Sequence, residues 1–348
     1  MSHEAKQLVI ISDYGKDLDD ENALLLAVGA MKFGEVDLRA VVANLSPAEQ
    51  RARLAQGVLD EVGFSLPVGI GTDCKSNAEP QSYETNVPYI SNTTEFQNGF
   101  ELLRDTLLAS EDKALILALN SGMTDAAELF AQEPALCMQK IGLVAIMGGV
   151  VVSKENIVRD SKGFMLPDDS VNNTFDTAAS AYVYEWLQSN GMAMSIVSRE
   201  AAYACQFEAS FYQDLGQSAV AKAMESRQDD AQREMWRLVN LPLGHPDRGT
   251  LPGRCDREWF VSTYCNGTDP GDVEDIITTD NYSGKLTMYD PLNVAAALHP
   301  EMFDPIKVCI NGVDHSVIGL SASQHGIKSA DAIVEYVVAR EKAALSQI

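Results

Sequence analysis

The chain has 348 residues, 46% of them hydrophobic, and a formal net charge of -24. That is enough apolar material for one large α/β domain or two small ones, and so acidic a surface repels phosphate backbones and anionic lipid, which excludes nucleic acid and membrane surfaces as partners. No run is long enough to span a bilayer, Met1 to Lys6 carries no signal-peptide core, and the six cysteines form no C-x-x-C pair, which predicts free thiols in a reducing cytoplasm.

Leu8 to Ile11 is an apolar run that predicts a buried parallel strand. The segment that follows, Asp13 to Asp20, holds Asp13, Asp17, Asp19 and Asp20, with Gly15 available for a sharp bend. Ala23 to Met31 predicts a helix that Gly34 stops. Val36 to Val42 reads as a strand ending at Ala43-Asn44, then Pro47 to Val62 as a helix capped by Ser46, and Pro67 to Ile70 as a short strand. Residues 72–95 are polar and predict a long loop covering the same sheet edge. Phe96 to Ala109 is a predicted helix, and Ala114 to Leu119 a strand that ends at Asn120-Ser121-Gly122-Met123-Thr124-Asp125, with a helix from Ala126.

Ile141 to Met147 predicts another strand, ending in Gly148-Gly149. Residues 150–175 form a second long excursion before the helix Thr177 to Gln188, and Met192 to Val197 returns as a strand. Residues 206–240 read as helical, and 241–262 as either an aromatic flap or a packing excursion, with His245, Arg254, Trp259 and Phe260. A polar, acidic stretch covers 266–282. Leu286 to Leu292 leads into a helix over Asn293 to Leu298, with Asp290 placed at a strand end directly before it. Lys307 to Ile310 and Ser316 to Leu320 suggest a hairpin, and Ala330 to Leu345 a closing helix. Alternating strands and helices, without repeat or linker, predict one domain over residues 1–348: a mostly parallel, mixed sheet flanked by helices.

Four carboxylates in so short a loop repel one another strongly in a partly dry site unless a cation joins them. Calcium is the ion that accepts many oxygens in irregular geometry. An EF-hand does not fit, because a strand precedes the loop and no bidentate Glu follows at the required spacing. A haloacid-dehalogenase-like phosphatase is disfavoured too, since Gly15 stands where the second Asp of Asp-x-Asp belongs. A sheet edge gathering Asp13, Asp19, Asp20 and Asp290 with Asn44, Asn120 and Asn172 suits a metal and a polyhydroxyl ligand, because carboxylates and amides bond ribose hydroxyls well.

The ordered set resembles the inosine–uridine-preferring nucleoside hydrolases over residues 7–345, nearest the branch that includes XopQ-type bacterial effectors. The carriers are Asp13-Tyr14-Gly15 with Leu18-Asp19-Asp20, Asn44, Asn120 to Asp125, Met147-Gly148-Gly149, Val171 to Asp176, and Asp290-Pro291-Leu292. The resemblance implies a Rossmann-like nucleoside hydrolase fold and calcium-dependent hydrolysis of N-glycosidic bonds in ribonucleosides or related N-ribosides. Asp13 would be a metal ligand and the general base toward the nucleophilic water. Asp20 and Asp290 would ligate Ca2+ by carboxylate and Asn120 by its carbonyl. Asp19, Asn172 and Asp290 would hold the ribose, with Asn44 beside the water and the ribose. Tyr289 and Ser170 occupy ligand-facing positions where the family has His and Glu, and Lys16-Asp17 is a two-residue insertion. The alternative is a catalytically weakened protein that binds a ribose-containing nucleotide such as an ADP-ribose derivative. The partner is in either case a small molecule, and a homo-oligomer is expected.

Overall fold

Lys6–Ser12 forms β1, the strand expected from the first apolar run, and its side chains divide the interior in two. Leu8 and Ile10 face one core, and Val9 and Ile11 the other, as the two-residue period of a strand requires. The computed structural model describes residues 6–74, 82–249, 251–321 and 324–346. The N-terminal residues 1–5 and part of the expected covering loop, 75–81, lie outside the described residues.

After β1 come α1 (Asp19–Lys32), β2 (Val36–Ala43), α2 (Ala48–Glu61), β3 (Val68–Ile70), α3 (Ser82–Thr85), β4 (Gln97–Asn98), α4 (Gly99–Ala109), β5 (Leu115–Leu119), α5 (Thr124–Gln132), α6 (Pro134–Lys140) and β6 (Ile141–Met147). The second half holds a small hairpin, β7 (Val152–Ser153) and β8 (Asn156–Ile157), then α7 (Val171–Phe175), α8 (Thr177–Ser189), β9 (Met194–Val197), α9 (Arg199–Ala204), α10 (Phe211–Asp214) and α11 (Ala219–Val239). It closes with α12 (Arg257–Tyr264), α13 (Tyr289–Leu298), β10 (Ile306–Ile310), β11 (Val313–Ile318) and α14 (Ala330–Leu345).

Nine strands make one sheet in the order β10-β11-β9-β6-β5-β1-β2-β3-β4. All run parallel except β10, which pairs antiparallel with β11 in the expected hairpin. Helices α1, α2, α13 and α14 contribute to the core on one face, and α4, α5, α6 and α8 to the core on the other. The fold is therefore the mostly parallel, mixed α/β sheet that the alternation predicted. Strand order reverses between β1 and β5, so a crevice opens beyond their carboxyl ends, where ligands of such sheets bind. The Asp13–Asp20 loop leaves β1 at that point and Asn120 leaves β5.

Three expectations change. Ser46 does not cap α2: Pro47 stands at the cap position without a side-chain bond, and the Ala48 N–H donates to Asp73 Oδ1 at 3.0 Å. Asp290 is not at a strand end but in the first turn of α13. Leu286 reaches only a single bridge with Phe207, too short a pairing to make a strand. Helix α1 starts at Asp19 rather than Ala23, because the acidic residues of the loop fill its first turn, where carboxylates favour the macrodipole.

Candidate functional site

The acidic loop is held from behind by one buried arginine. Arg51, 1% exposed, donates to the carbonyls of Asp13 and Tyr14 at 3.1 Å each and to those of Leu45 and Ser46 at 3.2 and 3.1 Å. It also pairs with buried Glu84 at 2.8 Å. Gly15 permits the bend, with φ +89°, and a Cβ there would come within 2.1 Å of the Glu84 carbonyl oxygen.

The loop is joined to the far end of the chain by Asp19. Its Oδ2 accepts the backbone N–H groups of Tyr289 and Asp290, at 2.9 and 3.1 Å. Asp19 thus opens α1 and satisfies the exposed N–H groups that open α13. Two helix N-termini converge on the same spot, and both favour negative charge there. Asp20 is fixed in turn by Ser12, whose hydroxyl donates to Oδ1 at 2.5 Å, and by the Asp13 N–H at 3.0 Å.

Carboxylate oxygens of Asp19, Asp20 and Asp290 come within 4.8 Å of one another, and all three residues are buried. Burial first, and neighbouring carboxylates next, push their pKa values up, to about 7 for Asp19 and well above the ordinary range for Asp20 and Asp290. Asp13 lines the same cavity but stands outside that trio; burial raises it to about 7 against the pull of Arg51. Crowded, buried carboxylates of this kind fit a hard cation: calcium binds oxygens at about 2.3–2.6 Å, so ligand atoms around one ion lie within about 5 Å of each other.

The cavity, about 230 Å³, is lined by Asp13, Asp17, Asp19, Asp20, Asn120, Ser170, Asn172, Tyr289 and Asp290 among others. Apart from Asp17, these are eight of the nine residues to which the sequence assigns a site role, and the structure brings them to one cavity. Asn172 donates to the carbonyls of Asn120 and Met147, at 3.0 and 3.2 Å, and so ties the ends of β5 and β6 together. The Asn120 side chain accepts from Asn293 at 2.8 Å, leaving its amide N–H group unpartnered and buried. Ser170 is 7% exposed with a free hydroxyl oxygen.

Asn44 is the exception. It is fully buried and lines no part of the cavity, because its amide donates to the Gly122 carbonyl at 2.9 Å and to Asp125 Oδ2 at 2.8 Å. Its carboxamide oxygen is buried without a hydrogen-bond partner among the described residues. Described residues of the 72–95 loop likewise line none of the cavity; Glu84 braces the acidic loop from below instead.

Part of the 241–262 segment does reach the site, through Leu251, Pro252, Arg254, Cys255 and Trp259. His245 stays outside, its Nδ1 accepting from the Asp247 N–H at 3.2 Å. Phe260 is fully buried in a satellite core with Trp236 and Tyr264, which anchors α12 on α11. The sequence reading missed Arg199, Tyr203 and Arg227, which also line the cavity. Arg199 could have been found, since it follows β9 at the same carboxyl edge.

No family model matches the chain, and no curated protein matches it. Solved structures do. The type III effector protein XopQ, complexed with adenosine diphosphate ribose, is 25% identical, with a TM-score of 0.76 over 99% of this chain and 94% of that one. The effector protein XOO4466 is 23% identical, with a TM-score of 0.81 over 99% of this chain and 95% of that one. The purine-preferring ribonucleoside hydrolase from Gardnerella vaginalis is 17% identical, with a TM-score of 0.58 over 98% of this chain and 99% of that one.

The chain has the nucleoside hydrolase fold. Its neighbours are the XopQ-like effectors and the nucleoside hydrolases proper, the branch and family that its motifs resemble. Within that fold the acidic loop, Asn120 and Asp290 share one crevice, which suits a hydrolase or a ribose-binding protein.

Proposed function

We propose that this chain hydrolyses the N-glycosidic bond of ribonucleosides or related N-ribosides with calcium as cofactor. The observation that carries the reading is the meeting of Asp19, Asp20 and Asp290 oxygens within 4.8 Å, beside Asp13, in a cavity at the sheet's switch point. Asp20, Asp290 and the Asn120 carbonyl would hold the ion, with Asp13 and Asp19 at its side. When bound, calcium supplies positive charge that polarises oxygen ligands and offsets the repulsion among the carboxylates.

The chain's own residues do the rest. Asp19, Asn172 and Asp290 orient the ribose hydroxyls. Asp13 accepts the proton of the attacking water as its oxygen bonds to C1′. The C1′–N bond breaks with its electron pair moving to the base, and the carboxylates stabilise the oxocarbenium-like state between. Asp290→Ala should abolish calcium binding by calorimetry. Asp13→Asn should cut kcat on inosine, uridine or a pyridine riboside by about 10²-fold or more. Absence of turnover on every riboside, with calcium demonstrably bound, would reject the hydrolase.

A second reading rests on Arg199 and Arg254, which line the cavity and share Asp169 at 3.1 and 3.4 Å. Asp169 is largely exposed, so a phosphate could take its place on either guanidinium. That arrangement suits a ribose-containing nucleotide such as an ADP-ribose derivative, bound without turnover. Calorimetry with ADP-ribose on the wild type and on Arg254→Ala separates the two readings: binding without hydrolysis, weakened by the substitution, favours the second.

A further inference from the structure

One wall of the cavity is aromatic. Tyr203, Trp259, Tyr264 and Tyr289 all line it. The rings of Tyr203 and Tyr289 meet edge to face at 6.2 Å, and those of Trp259 and Tyr264 at 5.7 Å and 88°. Trp259 Nε1 donates to the Tyr203 hydroxyl at 3.3 Å, so the four rings form one connected surface. Aromatic faces attract cations, tryptophan most of all.

The charges around this wall are unequal in a way that matters. Each cation that lines the cavity is matched by a carboxylate: Lys16 by Glu84 at 3.2 Å, Arg227 by Glu21 at 2.6 Å, Arg199 and Arg254 by Asp169. Asp17, the second residue of the insertion, lines the cavity and makes no hydrogen bond or ion pair among the described residues; burial raises its pKa, while Lys16 and Arg51 favour its charged form. Asp17 is thus a carboxylate of the cavity lining that has no hydrogen-bonded or ion-paired partner of its own among the described residues.

A neutral purine or pyrimidine departs as an anion unless an acid protonates it. Among the described residues no histidine lines the cavity, and the carboxyls of Asp13, Asp19, Asp20 and Asp290 are engaged by the water, the ribose and the ion in the reading above. An N-ribosylpyridinium needs no such acid, because its base departs neutral.

We infer that the preferred substrates are cationic N-ribosides, in which an N-ribosylpyridinium ring lies on the Tyr203–Trp259–Tyr264–Tyr289 wall with its charge facing Asp17. The inference rests on the hydrolase reading above. In the step, the C1′–N bond of the cation breaks and its electron pair neutralises the ring nitrogen. Water oxygen bonds to C1′, and the proton that water gives up passes to Asp13 and from there to solvent. The products are ribose or, from NAD+, ADP-ribose, together with a neutral pyridine and one proton, so no co-reactant is required. Nicotinamide riboside and NAD+ both present this ring, and a preference for NAD+ would add a diphosphate contact to Arg199 and Arg254.

The test uses the full chain with calcium. The kcat/KM for nicotinamide riboside and for NAD+ is compared with that for inosine and uridine, and calorimetry compares N-methylnicotinamide, a cation without a ribosyl bond, with neutral nicotinamide. The better cationic riboside should exceed both neutral nucleosides by about tenfold or more, and the methylated cation should bind more tightly than nicotinamide. Asp17→Asn and Trp259→Leu should each reduce the cation-to-neutral ratio about tenfold, with calcium affinity of Asp17→Asn within about twofold of wild type. Neutral nucleosides cleaved as well as the cations would overturn the inference and leave the hydrolase standing. So would an unchanged ratio in both variants, or loss of calcium affinity in Asp17→Asn, which would make Asp17 a metal ligand. Failure of every riboside, cationic and neutral, with calcium bound, would remove the hydrolase reading and this inference together.

Discussion

Glu341 shows how far a single side chain can lie from what its chemistry prefers. It sits on α14, fully buried, with neither carboxylate oxygen hydrogen-bonded. Burial alone drives its pKa well above the ordinary value of 4.5. The folded chain therefore holds this proton more tightly than the unfolded one. By linkage the folded state is fully favoured below about 4.5 and loses stability as pH rises from there toward the raised folded value. Glu341→Gln keeps the shape of the protonated acid and removes the ionisation. The two proteins should melt within about 1 °C of each other at pH 5, and the variant about 2–4 °C higher at pH 8. Equal melting temperatures at both pH values would mean that the carboxylate finds water or a partner in solution.

At the scale of elements, the acidic loop depends on α2 through Arg51. Replacing Arg51 by Met keeps the volume but leaves four backbone carbonyls and Glu84 without their donor. Breaking such a buried pair costs about 3–5 kcal/mol, or about 4–7 °C in melting temperature for a chain of this length. Scanning calorimetry on Arg51→Met reads this directly, and a shift under 1 °C would remove Arg51 as the brace. The sequence did not disclose this role. Arg51 looks like one more polar position on an amphipathic helix, and its partners lie on three other segments. What was legible was local: continuous apolar runs marked β1, β2, β5 and β6 because strands buried on both faces need them. Asp290 was read at a strand end, although Pro291 beside it suits the first turn of a helix. Asn44 was placed at the right strand end, yet its direction is set by Asp125, 81 residues away, and no local pattern encodes that.

At the scale of the whole molecule, the proposed calcium site exists only in the folded chain. Asp20 and Asp290 are far apart in sequence, and only the docking of the α13 N-terminus on Asp19 brings them together. An unfolded chain offers these oxygens singly, so nearly all of the ion's affinity is directed to the native state. The stabilisation then follows mass action, about 2.7 kcal/mol at a hundredfold excess over Kd. Unfolding entropy scales with length, so for 348 residues this corresponds to a rise of about 4 °C. Magnesium, smaller and stricter in geometry, should give a lesser shift at the same concentration. A chelator should reverse the effect, and Asp290→Ala should abolish it without relying on any substrate. A melting temperature indifferent to millimolar calcium would leave the four carboxylates to be explained by the two helix N-termini alone.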